Sequence, residues 1–308
     1  MDGAETAGTP PPGRRCPGWR VLAGLFAAVA RLPQPLLLAL GGGLARLLRP
    51  LLRRRWQIAR VNLALCFPGE SEARRHQRLR AHQRSLAIAL LELLRAWFAP
   101  DRALAGLVEI EGLHHLREAA ARGQGVLLLT GHLMHTELAT RFLALALGAP
   151  VGGVVRRYER HPCLEALLDA ARRRRLGPTV GKFDTRGMVR ALRAGGRLAY
   201  SADQDFRMNQ VFVPFFGVPA ATLASAPQLV KAGRACVRFF AMARSADGRY
   251  RLRVWDPGLD ALLDAPEAFA ARYMQVLEEA VREAPDQYLW VHRRFKTRPA
   301  GEASPYGR

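Results

Sequence analysis

The feature that most constrains this chain is a change of rhythm near Val108. From there, short β-type runs alternate with helical stretches almost to the C-terminus. Strand-like runs fall at Val108–Glu111, Gly125–Thr130, Val151–Val155, Arg197–Ala202, Cys236–Ala243 and Tyr250–Trp255. Between and after them, helical patterns cover Leu113–Arg122, Glu137–Leu147, Leu164–Arg175, Arg186–Arg193, Leu223–Ala232 and Pro266–Ala284. A strand that is followed by a helix and then another strand returns in the same direction. The alternation therefore predicts an α/β layered domain with a mostly parallel sheet flanked by helices. No internal repeat or low-complexity tract competes with this reading.

The N-terminal part is organised differently. Residues 1–18, rich in Gly, Pro and Ala, read as a flexible tail. Two apolar runs follow, Val21–Ala30 and Leu36–Leu48, separated by Arg31-Leu-Pro-Gln-Pro35. Neither reaches the roughly 18–20 residues that a bilayer span needs. Together they suit a kinked span, an interfacial hairpin or a pair of core helices. The Arg49–Arg55 cluster directly after them is typical of a cytoplasmic flank, so residues 19–55 are read as a membrane anchor or interfacial helices. Residues 56–98 look helical, with Leu79, Leu86, Leu90, Leu93, Leu94 and Trp97 near helical spacing and a break at Pro68-Gly69. The main domain is taken as 56–299, with 300–308 as a C-terminal tail.

The 47 basic and 26 acidic residues give a formal charge of +21, which favours an anionic partner. Nearly all the cations are arginines, whose planar fork suits phosphate. The four cysteines, Cys16, Cys66, Cys163 and Cys236, form no CxxC pair, which speaks against a zinc ribbon and suggests reduced thiols. A nucleic-acid-binding protein is the competing class for so basic a chain. Its aromatics form no stacking platform, however, and the apolar N-terminus would have no role there.

Chemistry concentrates in three places. The first is Thr130-Gly131-His132-Leu133-Met134-His135-Thr136-Glu137, which follows a buried strand and opens a helix. Strand ends of α/β sheets are where ligands bind. His132 can act as a general base. In a regular helix it would lie about 500° from Glu137, so the two can meet only if His132 is in the loop and Glu137 in the first turn. The plainer alternative is a structural histidine beside a helix N-terminal charge. A metal hydrolase using His132, His135 and Glu137 is a third reading, but no H-E-x-x-H pattern is present. The second place is Asp203-Gln204-Asp205, again after a predicted strand, where a turn with an N-cap is the plain alternative. The third is Trp290-Val-His-Arg-Arg-Phe-Lys-Thr-Arg-Pro299, in which Arg293 and Arg294 stand among aromatics. Arg156-Arg157 ends the strand that follows Gly125–Thr130 in the chain, so it faces the same site. Arg172–Arg175 reads as a solvated helical face or a dock for an acidic protein.

Taken together these pieces resemble the lipid A biosynthesis acyltransferases, the lauroyl and myristoyl transferases, over roughly Val21 to Pro299. The family's His-x4-Asp/Glu motif is matched by His132 and Glu137, and its Asp-Gln-Asp by Asp203, Gln204 and Asp205. Val211–Gly217, Trp290–Pro299 and the Asn62–Pro68 segment also fit. Tyr158 stands where the family often has Pro after the Arg matched by Arg157, and Tyr-Ser-Ala precedes Asp203 where Leu-Pro is common.

The resemblance implies a fold related to glycerol-phosphate acyltransferases and an N-terminal anchor at the cytoplasmic face of the bacterial inner membrane. It implies acyl-carrier protein as donor and a phosphorylated glycolipid as acceptor, with no cofactor, no metal and no nucleic acid. His132 and Glu137 are then the catalytic pair, Glu137 holding the ring. Arg157, Asp203, Asp205, Arg293 and Arg294 are the expected substrate-binding residues. No G-x-S-x-G elbow is present, so transfer is expected to be direct, with the oxyanion held by backbone N–H groups at a helix N-terminus.

Overall fold

Val126–Thr130 is buried at all five positions, a strand covered on both faces. Such a strand belongs at the centre of a parallel sheet with helices on either side. That is where the computed structural model places it, describing residues 18–155, 161–204 and 209–307. In chain order the elements are α1 (Trp19–Ala30), α2 (Gln34–Leu51), α3 (Arg53–Cys66), α4 (Glu72–Phe98), β1 (Val108–Glu111), α5 (His114–Ala121), β2 (Val126–Thr130), α6 (Thr136–Leu147), β3 (Gly152–Val155) and α7 (Pro162–Arg175). They continue with β4 (Thr179–Gly181), α8 (Thr185–Arg193), β5 (Arg197–Ser201), β6 (Gln210–Phe215), β7 (Val218–Leu223), α9 (Ala226–Gly233), β8 (Cys236–Arg244), β9 (Tyr250–Trp255) and α10 (Pro266–Glu283).

Seven strands form one sheet in the order β1-β9-β8-β2-β5-β3-β4, and only the β8–β9 pair is antiparallel. The expected α/β architecture with a mostly parallel sheet is therefore observed. Side chains alternate across it. Leu127, Leu129 and Leu198 enter one apolar layer with Tyr273, Leu277, Trp290 and Phe295. Val126, Leu128 and Ala199 enter the other, with Phe142, Val151, Leu168 and Leu176. Two elements escaped the sequence pattern: β4, with only three residues, and the hairpin β6–β7. The hairpin turns through Phe216 and Gly217, both at positive φ, which gives the two-residue turn that matches strand twist.

The break at Pro68-Gly69 separates α3 from α4, and Ser71 caps α4 by accepting from Arg74 N. α1 and α2 pack on α4. At Gly41 the approach is so close that a Cβ would lie 2.4 Å from Ile88 Cγ1. Their other face remains apolar and exposed, with Val21, Leu25, Leu36, Leu40, Leu47 and Leu51. No single described helix is long and apolar enough to cross a membrane; α1 and α2 pass that test only as a pair bent by 115°. Cys66 and Cys236 are free and buried. Cys163, by contrast, is disulfide-bonded, which corrects the expectation of a reduced thiol there. Spacing along the chain does not reveal which thiols approach in space.

A buried polar network fixes α4 to the sheet. Arg244 Nη1, at the end of β8, donates to both Glu92 oxygens at 2.7 Å. Tyr250 OH donates to Glu92 Oε1, and His135 Nδ1 lies 2.9 Å from Oε2. Gln287 bridges His135 and the Arg244 backbone. Burial alone would raise the Glu92 carboxyl, but His135, Arg244 and Tyr250 outweigh it and bring its pKa down to about 2. Its contribution to stability is thus complete above the unfolded value of about 4.3 and is lost as pH falls toward 2. Glu92→Gln should cost about 3–5 kcal/mol at pH 7, because it leaves Arg244 buried without its counter-charge. Urea midpoints of parent and variant should then stay apart from pH 7 down to about pH 4.3 and converge as pH falls from there toward 2. A gap that is constant with pH would show that the Glu92 charge is not what holds α4.

Candidate active site

β2 and β5 are parallel neighbours with Thr130 opposite Ser201. Two residues further along each chain stand His132 and Asp203, so the register itself brings the two side chains abreast. Asp203 Oδ1 lies 2.6 Å from His132 Nδ1, and Oδ2 accepts from the His132 backbone N–H at 3.0 Å. Gly131 lets the loop lie against α10: a Cβ there would be 2.3 Å from Leu277 Cδ1. Tyr273 OH joins both strand ends, donating to Thr130 O and accepting from Ala202 N. From the other side the C-terminal segment pins the loop, through Leu289 N to His132 O and Met134 N to Gln287 O.

Asp203 is 1% exposed, so its charge needs partners. Tyr288 OH donates to Oδ2 at 2.8 Å. Burial by itself would raise the Asp203 carboxyl; the His132 ring, its hydrogen bonds and the Arg294 charge hold it well below the usual carboxylate range. A charged carboxylate only accepts, so His132 Nδ1 carries a hydrogen, and in the neutral ring Nε2 is the nitrogen with the free lone pair. The ring is 30% exposed, between two cavities that it lines in common.

One cavity, of about 400 Å³, is a slot between the sheet and α4, α6 and α7. Leu86, Ala89, Leu90 and Leu93 of α4 cover it, over Gly153 and Ala199 of the sheet. The other, of about 630 Å³, is more polar, with Lys182, Tyr200, Gln204, Asn209, Ser225 and Gln228 in its wall.

Glu137 lies in the first turn of α6 as expected and lines the slot, but it does not hold His132. Its carboxylate accepts from Arg172 Nη2 at 2.7 Å, from Arg172 Nε at 3.1 Å and from Trp97 Nε1. The first turn of α6 directs this side chain toward α4 and α7, away from the loop. Asp203 takes the orienting position that the spacing suggested for Glu137. Arg172 is correspondingly not part of a solvated face: it is 6% exposed, packs over Trp97 and lines the slot. Its Nη1 is buried with no partner among the described residues. Arg173 pairs with Asp169 and Arg175 with Asp101.

Arg294 is corrected from substrate binding to a structural position. It is 1% exposed and donates to Ala221 O and Thr222 Oγ1, tying the C-terminal segment to β7. Arg293 is exposed over the Tyr306 ring, outside both cavity walls. Arg157 and Asp205 lie outside the described residues. Among those residues no group of three His, Cys, Asp or Glu could hold a metal ion. The distant sequence pieces prove to be neighbours. Asn62 Nδ2 donates to the Trp290 and His292 carbonyls, and Phe67 packs on Phe216 and Trp290.

A mostly parallel α/β sheet with a carboxylate-held histidine, set where an apolar slot meets a more polar basin, is an arrangement suited to proton-transfer chemistry on a substrate with apolar and polar parts. Comparison with known proteins narrows the class. The profile for the bacterial lipid A biosynthesis acyltransferases matches residues 14–297. The chain is 36% identical over 286 residues to the lipid A biosynthesis lauroyltransferase of Escherichia coli K12, covering 92% of each chain. With the palmitoleoyltransferase of the same strain it is 37% identical over 280 residues, 90% of each. With the myristoyltransferase it is 28% identical over 295 residues, 94% of this chain and 89% of the relative. The chain belongs to the bacterial lipid A biosynthesis acyltransferase family, and it is an acyltransferase.

Asp203→Asn removes the charge that fixes the tautomer and stabilises a protonated ring. It should lower kcat by about 10²–10⁴ and leave KM for the acyl donor within a few-fold. Steady-state kinetics on the folded variant check this. A variant that turns over at the parent rate would separate the dyad from the chemistry.

Proposed function

We propose that this chain transfers a fatty acyl group from acyl-carrier protein to a hydroxyl of a lipid A precursor, a phosphorylated glycolipid, at the cytoplasmic face of the bacterial inner membrane. The observation that carries the reading is the meeting of slot and basin at His132. The slot suits a hydrocarbon chain, and the basin suits a sugar headgroup with phosphate near Lys182. Arg157 and Asp205 remain proposed contacts to the acceptor.

In this mechanism His132 Nε2 takes the proton of the acceptor hydroxyl as its oxygen attacks the thioester carbonyl. A C–O bond forms, the C–S bond breaks, and the carrier thiolate leaves with the proton from His132. Asp203 stabilises the imidazolium in between. Arg172, held by Glu137, offers a cation and an unfilled N–H to the developing oxyanion. This replaces the expected backbone donors with a side chain at the slot. Catalysis therefore needs both carboxylates, each serving a different cation.

The membrane reading rests on the exposed apolar face of α1 and α2 beside the exposed Arg53, Arg54 and Arg55. An amphipathic helix pair of this kind lies in the interface plane, with the arginines toward anionic headgroups.

The test is reconstitution in detergent with acyl-carrier-protein and coenzyme A thioesters and a lipid A precursor, with products read by mass spectrometry. A single added ester, preference for the carrier-bound donor and a loss of about 10²–10⁴ in rate for His132→Ala are expected. Equal use of both donors would remove the carrier protein from the proposal. Parent-like transfer by His132→Ala would remove the base.

A further inference from the structure

Gly153 is a glycine that neither the backbone nor the packing requires. Its φ is not in the left-handed region, and a Cβ built on it would meet nothing within 4 Å. Its neighbour behaves differently: a Cβ on Gly152 would lie 2.6 Å from Pro178 O, so packing explains that residue. Glycine inside a strand weakens it and often marks a place where something approaches the backbone closely. Here the space in front of Gly153 is the slot.

The position along the slot matters. Gly153 stands between Thr179 on β4 and Ala199 on β5 in one row across the sheet, and all three line the slot. His132 lies at the C-terminal ends of the strands. Gly153 is two residues back from the end of β3, about 7 Å at the usual strand rise of about 3.3 Å per residue. Val151 and Leu176, both buried, line the slot further back still, where Val151 N donates to Leu176 O. A side chain at 153 would therefore project into the deep half of the slot and leave the reacting end open.

We infer that the missing side chain at Gly153 keeps the deep half of the slot open for the distal methylenes of the transferred acyl chain, and so sets the longest chain the enzyme accepts. The inference rests on the proposed acyl transfer and names the specificity-determining residue within it. Thr179 and Ala199 continue the same small-residue row to either side. A Cβ at 153 meets no protein atom within 4 Å, and a β-branched residue suits a strand, so a side chain there is expected to shorten the slot without breaking the sheet.

The experiment is a chain-length series. Saturated acyl-carrier-protein donors of increasing length are offered to the parent and to Gly153→Ala, Gly153→Val and Gly153→Leu at a fixed acceptor concentration, and kcat/KM is read for each. Displacement of a fluorescent fatty acid by free fatty acids of the same lengths is measured in parallel, with thermal midpoints as the check on folding. One methylene in an apolar pocket is worth about 10–200-fold in discrimination. The longest donor the parent accepts should lose at least about tenfold relative to a shorter one in Gly153→Val, and more in Gly153→Leu. Gly153→Ala should fall between, and the displacement series should shift the same way. Folded variants with the parent's length profile, or with an equal loss at every length, would overturn the inference alone. A parent that neither transfers an acyl chain nor binds fatty acid would overturn the proposed reaction and this inference with it.

Discussion

The site depends on the parallel pairing of β2 with β5. Because Thr130 and Ser201 are register partners, the next residues but one, His132 and Asp203, emerge side by side. They are 71 positions apart in the chain, with α6, β3, α7, β4, α8 and β5 in the interval. A parallel sheet delivers loops from distant parts of the sequence to one edge, and here that edge carries His132 and the carboxylate that holds it. Tyr273 and Tyr288 complete the arrangement by holding the strand ends and the second Asp203 oxygen. The desolvation cost of burying Asp203 is offset by these partners and the His132 ring. In a low-dielectric setting the carboxylate polarises the imidazole more strongly than it would in water.

The second constraint is α4. Its inner face closes the slot with Leu86, Ala89, Leu90 and Leu93, while Glu92 anchors the helix to the sheet through Arg244 and Tyr250. The same helix carries Trp97, which donates to Glu137 and lies under Arg172. On its outer side α4 receives α1 and α2, whose remaining faces are apolar and exposed. One helix thus links the apolar surface, the apolar slot and the charged pair beside the reacting end. His135, in the same loop as His132, belongs to this scaffold; it is buried between Glu92 and Gln287.

Much of this was legible in the sequence, and the limits have physical causes. Buried strands such as Val126–Thr130 announce themselves by continuous apolar residues, and α6 and α10 by their period. The strand β4 has three residues, too few for any period to show. Val211–Gly217 stands out in the sequence as a piece of the family pattern but not as half of the hairpin β6–β7, whose turn uses Phe216 at positive φ, which residue preference argues against. For the site, the spacing correctly set His132 in a loop and Glu137 in a first turn. It could not say that Glu137 would face Arg172, because that depends on where α7 packs, 35 residues later. Four consecutive arginines looked like a solvated face for the same reason. Arg294 looked like a ligand because its motif is basic, whereas the neighbouring Trp290 and Phe295 draw the whole segment into the core.

In the proposed mechanism Asp203 holds His132 with the hydrogen on Nδ1 and leaves Nε2 as the base. Nitrogen NMR of the histidine-labelled protein in detergent measures this directly, with the His132 signals identified by their loss in His132→Gln. At a pH where the ring is neutral, the account predicts a protonated Nδ1 and a pyridine-type Nε2 in the parent, with that preference weakened in Asp203→Asn. An Nε2-protonated ring in the parent, or a tautomer indifferent to Asp203→Asn, would contradict it.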